Sequence, residues 1–189
     1  MLYRHVEDSL SGQPYQSITY RWVSKDDISP HARLAVIAGE DQKFYRHHGF
    51  DIESLGTAIS QYQNGGRLRG ASTISQQTAK NLFLTPAKNA IRKGLEIWFT
   101  VLLEQLWDKD RILEVYLNIA EFGDHLFGTE AASRRYFGIP AKHLSPAQSA
   151  LLAATLPNPR HLKALEPSAY LLKRQQWILG QMRNLGNGR

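Results

Sequence analysis

The sequence predicts a mostly α-helical fold, on three observations. Apolar residues recur at spacings of three and four through most of the chain after residue 29. Well-marked helix starts recur as well: Ser29-Pro30, Thr73 with Gln76, and Ser145-Pro146 with Gln148. Strand-like alternation shows at one place, Ile18-Thr19-Tyr20-Arg21-Trp22-Val23, which reads as a short strand or extended arm. A length of 189 residues suits one domain with a small subdomain, and 42% hydrophobic residues supply a core and argue against disorder.

The elements follow in order. Residues 1 to 28 are mixed and polar. Ser29 caps a helix that runs to about Glu40, through the uncharged run Leu34-Ala35-Val36-Ile37-Ala38. Asp51 caps a second, about 52 to 63, with Ile52, Leu55, Ile59 and Tyr62 at helical spacing. Gln63 to Gly70 is a glycine-rich basic loop carrying Arg67 and Arg69, either a mobile cover for an anionic substrate or a plain connector. Thr73 and Gln76 form a capping box for the next helix, and Lys80 lies two turns along it. Thr85-Pro86 is expected to open a long helix to about residue 107, with Ile91, Leu95, Trp98, Leu102 and Leu106 as its apolar stripe. Asp108 or Asp110 caps a helix over Arg111 to Ala120, Glu121 to Asp124 reads as a turn, and Leu126 to Phe137 reads as helix. Ser145 caps another helix that Leu156-Pro157-Asn158-Pro159 ends, and an amphipathic helix from about Ala169 to Asn184 closes the chain.

Charge bounds the partner. The net charge of +6 and pI of about 9.6 point to an anion: nucleic acid, anionic lipid or a phosphorylated substrate. Cysteine is absent, so there is no disulfide and no thiolate zinc site, and the compartment stays open. No run approaches the roughly 18 apolar residues of a membrane span, and no signal peptide is visible.

Two clusters carry chemistry. Glu40 stands where an apolar helix stops, near the negative end of the helix dipole and partly screened from water. Both effects favour the protonated acid and make it a candidate general base. The alternative is that Glu40 and Asp41 are solvated loop acids. Lys88, Arg92 and Glu96 follow at spacing four, with Lys93 beside them. They could be intrahelical ion pairs, but a basic first half opposes the helix dipole and invites an external anion. Trp98, Phe99, Trp107 and Phe83 exceed what one stripe needs and fit either a membrane interface or the core. A glycosidase normally needs two carboxylates to protonate an alcohol leaving group. A diphosphate already leaves well and needs cations, so one base with several cations suits a diphosphate-linked sugar donor, and direct displacement inverts the anomeric centre.

Five ordered motifs resemble those of the peptidoglycan glycosyltransferases, the family that includes the transglycosylase domains of bifunctional penicillin-binding proteins. They are Glu40-Asp41-Gln42-Lys43-Phe44-Tyr45 with His47-His48-Gly49; Arg69-Gly70-Ala71-Ser72-Thr73-Ile74-Ser75-Gln76-Gln77 with Lys80-Asn81; and Arg92-Lys93 and Glu96 continuing to Lys109-Asp110-Arg111-Ile112-Leu113-Glu114 and Tyr116-Leu117-Asn118. The last two are Phe127-Gly128 with Glu130-Ala131-Ala132 and Tyr136-Phe137-Gly138, and Leu144-Ser145 with Ser149-Ala150-Leu151-Leu152-Ala153. The resemblance covers about residues 20 to 185, and Asn118-Ile119-Ala120-Glu121-Phe122-Gly123 is similar to the monofunctional biosynthetic branch.

The resemblance implies a lysozyme-like helical domain over residues 1–189, with a membrane-facing jaw roughly within 60–107. It implies polymerisation of lipid II, with the growing chain on undecaprenyl diphosphate as donor, on the periplasmic side of the bacterial inner membrane. Glu40 would be the base and Glu96 the second functional carboxylate. Asp41, Gly70, Ser72, Thr73, Gln76, Gln77, Lys80, Asn81, Lys88, Arg92 and Lys93 would bind substrate. A divalent metal, Mg or Mn, would sit near the diphosphate. Lys88 stands where relatives often carry arginine, which bears on bidentate phosphate binding. An N-terminal transmembrane anchor is usual in the family and is not in this chain, which is expected to be a fragment. Cell-wall synthesis proteins are possible partners and nucleic acid is not expected. Phe44 and His47 are expected to support the cleft, and Glu121 to be structural. Glu104 and Glu114 are expected as helix-surface acids, and Arg134-Arg135 as a solvated face. Two rivals stand: a lysozyme-like lytic hydrolase, and a basic nucleic-acid-binding or scaffold protein, for which no motif appears.

Overall fold

In the computed structural model, which describes residues 4, 8, 10, 12, 14–63, 65, 72–85 and 89–186, the first sheet element is a two-residue strand, β1 (Thr19–Tyr20). The arm after it is pinned by Asn118, whose amide copies a strand partner. Val23 N donates to Asn118 Oδ1 at 3.0 Å and Asn118 Nδ2 donates to Val23 O at 2.9 Å. Lys25 N donates to the Glu114 carboxylate at 2.8 Å, at the start of a 3-10 turn (Lys25–Asp27). Glu114 is therefore no plain surface acid. The arm and Arg111 leave its side chain 12% exposed.

Helix α1 (Pro30–Glu40) starts as expected, with the Ser29 side chain accepting from His31 N, and buries Ala32, Ala35, Val36, Ile37 and Ala38. Asp51 opens α2 (Ile52–Gln63) by accepting from Ser54 N at 2.9 Å. The Thr73–Gln76 capping box opens α3 (Ile74–Phe83). Helix α4 (Ala90–Leu106) is capped by Asn89; the expected start near Pro86 lies outside the described residues, as do Lys88, Gly70 and most of the basic loop. Asp108, not Asp110, caps α5 (Lys109–Ile119).

The segment after α5 departs from expectation. Glu121–Gly123 is a strand, β2, not a turn, and Leu126–Phe127 is a strand, β3, not helix. β1 pairs parallel to β3 and β2 pairs antiparallel to it, in the order β1-β3-β2. Gly128 explains the break. Its φ is +84°, and a Cβ there would stand 2.7 Å from the Asn118 carbonyl oxygen, so the helix begins only afterwards as α6 (Thr129–Phe137). A 3-10 turn (Ala141–His143), α7 (Pro146–Thr155) with a Ser145–Gln148 capping box, and α8 (Ala169–Gly186) complete the described chain. Arg134 and Arg135 are exposed, with Arg134 paired to the buried Glu130.

Helix α1 packs against α7 and α8. Ala35, Ala38, Ala150, Ala153 and Ala154 are fully buried there, and such small side chains let the helices approach closely. A Cβ on Gly39 would stand 3.2 Å from Ile178 Cδ1, so α8 crosses tightly beside the end of α1. On the other side α3 packs against α4 and α5. There the apolar stripes lie outward. Ile91 is 79% and Trp98 60% exposed, with Leu95, Leu106, Ile52 and Leu55 also exposed, while α4 buries Glu96, Thr100 and Leu103. The reason is the polar face that α3 offers: Ser75, Gln76 and Thr78 are buried, and Ser75 Oγ donates to Glu104. Glu104, expected on a helix surface, has a side chain 8% exposed that also pairs with Lys109 at 2.7 Å. Ile59 and Tyr62 have side chains outside the described set.

Candidate active site

Glu40 is the last residue of α1, where the apolar run ends against α8. Its Oε2 accepts from Gln77 Nε2 and its Oε1 from Arg174 Nη2, each at 3.1 Å. Arg174 also reaches Gly39 O at 3.3 Å. The orientation of Gln77 is fixed by Tyr116, whose hydroxyl donates to Gln77 Oε1 at 3.0 Å, leaving the amide N–H for Glu40. Burial pushes the Glu40 carboxyl above its ordinary range. The hydrogen bond from Gln77 and the charge and hydrogen bond of Arg174 oppose that push without cancelling it. The Tyr116 phenol, fully enclosed, is pushed well above its ordinary range by burial, then by Glu40 and Asp41. Glu40 is thus a held, partly desolvated carboxyl and not a solvated loop acid.

Asp41 faces the other way. His47 Nε2 lies 3.0 Å from both of its oxygens, and Ile74 N donates to Oδ2 at 2.9 Å. Burial raises its carboxyl too, against those bonds. Asp41 ties the end of α1 to the start of α3, with Phe44 buried below and Lys109 Nζ 4.6 Å from the Phe44 ring centre. Thr73 Oγ1 donates to Gly49 O at 2.6 Å, and Gln76 stays in the cap.

Two clefts meet at Gln77 and Pro157. The first, about 820 Å³, is lined by Glu40, Asp41, Lys43, Ser72, Thr73 and Arg174 among others. The second, about 570 Å³, is lined by Lys80, Asn81, Phe83, Tyr116 and Glu121 among others. Burial lowers the Lys80 amine, and the charges it feels are Glu96, Arg92, Lys93 and Glu40, so Lys80 stands within electrostatic reach of both the α4 ionic group and Glu40. On α4, Glu96 accepts from Arg92 Nη1 at 2.8 Å and from Lys93 Nζ. Burial alone would raise the Glu96 carboxyl, but those two bonds outweigh it and hold it below the ordinary range. Arg92 Nε is buried without a hydrogen-bond partner among the described residues, which leaves a donor for an anion. Glu121 accepts from His125 N, and burial raises its carboxyl.

Of the residues the sequence singled out, Glu40, Asp41, Ser72, Thr73 and Gln77 share the first cleft, and Lys80 and Asn81 the second. Arg92, Lys93 and Glu96 form one ionic group on α4. Gly70 and Lys88 lie outside the described residues. Sequence reasoning missed Arg174 and the role of Tyr116. Tyr116 stood in a quoted motif without a role of its own, and Arg174 sits on a helix that no quoted motif covers.

A held carboxylate, Glu40, opens on the first cleft and Lys80 lines the second, and the mostly helical fold with its small sheet agrees with a lysozyme-like domain. The family model described as Transglycosylase matches residues 8–183. The biosynthetic peptidoglycan transglycosylase of Chromohalobacter salexigens is 56% identical over 186 residues, covering 98% of this chain and 79% of that protein. That of Cronobacter sakazakii is 59% identical over 165 residues, covering 87% and 68%. That of Shewanella oneidensis is 53% identical over 173 residues, covering 92% and 74%. With the family model spanning residues 8–183 and relatives more than half identical along nearly the whole chain, the chain belongs to the transglycosylase family.

Proposed function

We propose that this chain polymerises lipid II into the glycan strands of peptidoglycan, with Glu40 as the base. As a transglycosylase it acts in the cell envelope on lipid II and the glycan chain. In the finer reading, the growing chain on undecaprenyl diphosphate is the donor and the 4-hydroxyl of lipid II the acceptor. Glu40 takes the hydroxyl proton as the oxygen attacks the donor anomeric carbon. The bond from that carbon to the diphosphate breaks with its electron pair leaving on the phosphate oxygen, and the configuration inverts. The observation that carries this is the Glu40 carboxyl itself: raised by burial, oriented by Gln77 and Arg174, and open to an 820 Å³ cleft. Lys80, Arg92 and Lys93 would hold the diphosphate as its charge develops, with Glu96 keeping the two α4 cations in place. The unpartnered Arg92 Nε supports that assignment. Ser72, Thr73, Gln76, Gln77 and Asn81 are proposed to shape the substrate-facing wall, with Gly70 and Lys88 proposed on the resemblance alone.

Among the described residues no group of three or more His, Cys, Asp or Glu could hold a metal, and both Glu96 oxygens are taken by cations. The described residues do not fit a protein-held ion. A divalent ion, Mg2+ or Mn2+, is proposed to arrive on the substrate diphosphate.

The outward apolar residues of α4, with Phe83 stacked on Phe99 at 4.6 Å between ring centres, support a jaw that lies against the inner membrane from its periplasmic side. No helix of the described residues is long and apolar enough to cross a membrane. Cell-wall synthesis proteins are proposed as partners on the resemblance alone.

The lytic alternative needs a second available acid. In the first cleft Asp41 is committed to His47 and Ile74 N, and Asp51 to Ser54, which disfavours it. The test is turnover of labelled lipid II in detergent with a divalent cation, wild type beside Glu40→Gln. Polymer from the wild type alone is expected; equal polymer from both would remove Glu40 as base, and muropeptides released from purified sacculi would favour the lytic reading.

A further inference from the structure

Helix α8 buries Leu171, Ile178 and Met182 on one side. On an adjoining face Tyr170, Arg174 and Trp177 follow at i, i+4 and i+7, and all three line the first cleft. Arg174 fixes this face relative to Glu40, and its guanidinium stands 6.0 Å from the Trp177 ring centre, the outer limit of cation–π contact. Tyr170 is 57% and Trp177 46% exposed, so neither is needed to fill the core. From Tyr170 to Trp177 the helix rises about 10 Å, the length of one disaccharide repeat. Gln42, Lys43 and Ser54 also line the cleft, each with hydrogen-bonding capacity beyond its contact with Ala38 O, Glu53 or Asp51. Aromatic faces together with hydrogen-bonding groups suit a sugar, whose rings present C–H bonds on their faces and hydroxyls at their edges.

Resting on the reading of Glu40 given above, we propose that Tyr170 and Trp177 form a stacking platform for the acceptor saccharide. The direction follows from the displacement. Lys80, on the far side of Gln77, holds the leaving diphosphate in the second cleft. An in-line attack then brings the acceptor oxygen from the opposite side, through the first cleft, along α8.

The experiment has two readouts. Soluble disaccharide-peptide fragments of peptidoglycan are titrated against tryptophan emission, in wild type and Trp177→Phe. Quenching is expected in the wild type and lost in the variant, because Trp22, Trp98 and Trp107 lie off the first cleft. In lipid II polymerisation, Trp177→Ala raises KM by about three- to tenfold with little change in kcat. Trp177→Phe, which keeps a stacking ring, restores KM, and Tyr170→Ala has a smaller effect in the same direction. An unchanged KM in Trp177→Ala, or a loss confined to kcat, would overturn the platform. So would equal quenching in wild type and Trp177→Phe. The quench needs no turnover, so lack of polymer from the wild type would count against the proposed function, and lack of quench against the platform.

Discussion

Ala35, Ala38, Ala150 and Ala153 are buried where α1 meets α7, whereas Ser75, Thr78, Glu96 and Thr100 are buried where α3 meets α4. On the first side the apolar residues face in and the seam is dry and tightly packed. On the second, charged and hydroxyl groups face in while Ile91, Leu95, Trp98 and Leu106 face out. The difference assigns separate tasks. A close-packed seam fixes backbone positions to a fraction of an ångström, and it ends at Glu40, whose proposed proton transfer would depend on position. A polar seam gains little from apolar burial, and its ionic network holds charge in place for an anion. Its apolar surplus stays on the outside, as on a surface built to meet an apolar phase.

The largest break in that comparison comes from the carboxylates at its two ends. Glu40→Gln is expected to lower polymerisation by about 10²–10⁴-fold while leaving the fold intact. The stability sign is specific. The Glu40 carboxyl is raised in the folded state, so its ionisation works against folding above that raised range and not below the ordinary one. The variant should melt higher than wild type at neutral pH, and the gap should close in acid. Glu96 has the opposite sign. Its carboxyl is lowered, so its ion pairs contribute stability above the ordinary carboxylate range, which is lost as pH falls through the lowered one. Glu96→Gln should melt lower than wild type at neutral pH, converge with it in acid, and lose about 10- to 100-fold in polymerisation as Arg92 and Lys93 lose their anchor. Thermal unfolding across pH, beside lipid II turnover, reads both; matching slopes for the two variants would erase the distinction between the seams.

The dry seam was legible in the sequence. The uncharged run 34–38, the Ser29-Pro30 start and the Ser145–Gln148 box placed α1 and α7, and Glu40 stood out as the acid at the end of such a run. The polar seam was not legible, because periodicity reports which residues share a face and not which face turns inward. The stripe Ile91, Leu95, Trp98 and Leu106 was real, yet it points outward. Glu104 gave no sign of burial, since its partners Ser75 and Lys109 come from α3 and α5. Strands β2 and β3 were hidden by their length: two or three residues carry no alternation, and only the positive φ of Gly128 separates β3 from the helix after it. Arg174 was invisible for a related reason, as its role arises from a crossing of helices 134 residues apart in sequence.

Arg174 sharpens the comparison at lower amplitude. Its charge and hydrogen bond both hold the Glu40 carboxyl down against burial. Removing them in Arg174→Ala lets that carboxyl rise further, so a higher pH is needed to ionise the base. The acid limb of the kcat/KM profile should move to higher pH, and activity near neutrality should fall. Arg174→Lys should restore part of the shift, since it keeps the charge without the planar fork. An acid limb that stays in place would mean that Arg174 serves only to hold α8.

The smallest effect on turnover in detergent is expected from the outward face of α4. Ile91→Ser and Trp98→Ser together remove two of its most exposed apolar side chains. If that face meets lipid, the double variant should lose binding to vesicles that contain anionic lipid, measured by co-flotation. Its unfolding free energy should stay within about 0.5 kcal/mol of wild type, the range of ordinary surface changes. Polymerisation of detergent-solubilised lipid II should change by less than about threefold, because neither side chain lines either cleft. A steep loss of stability would instead make these residues part of a core and place both seams under the same packing rule. Retained vesicle binding with unchanged stability would leave the polar seam in place but move the lipid contact off α4, toward exposed apolar residues elsewhere such as Ile52 and Leu55 on α2.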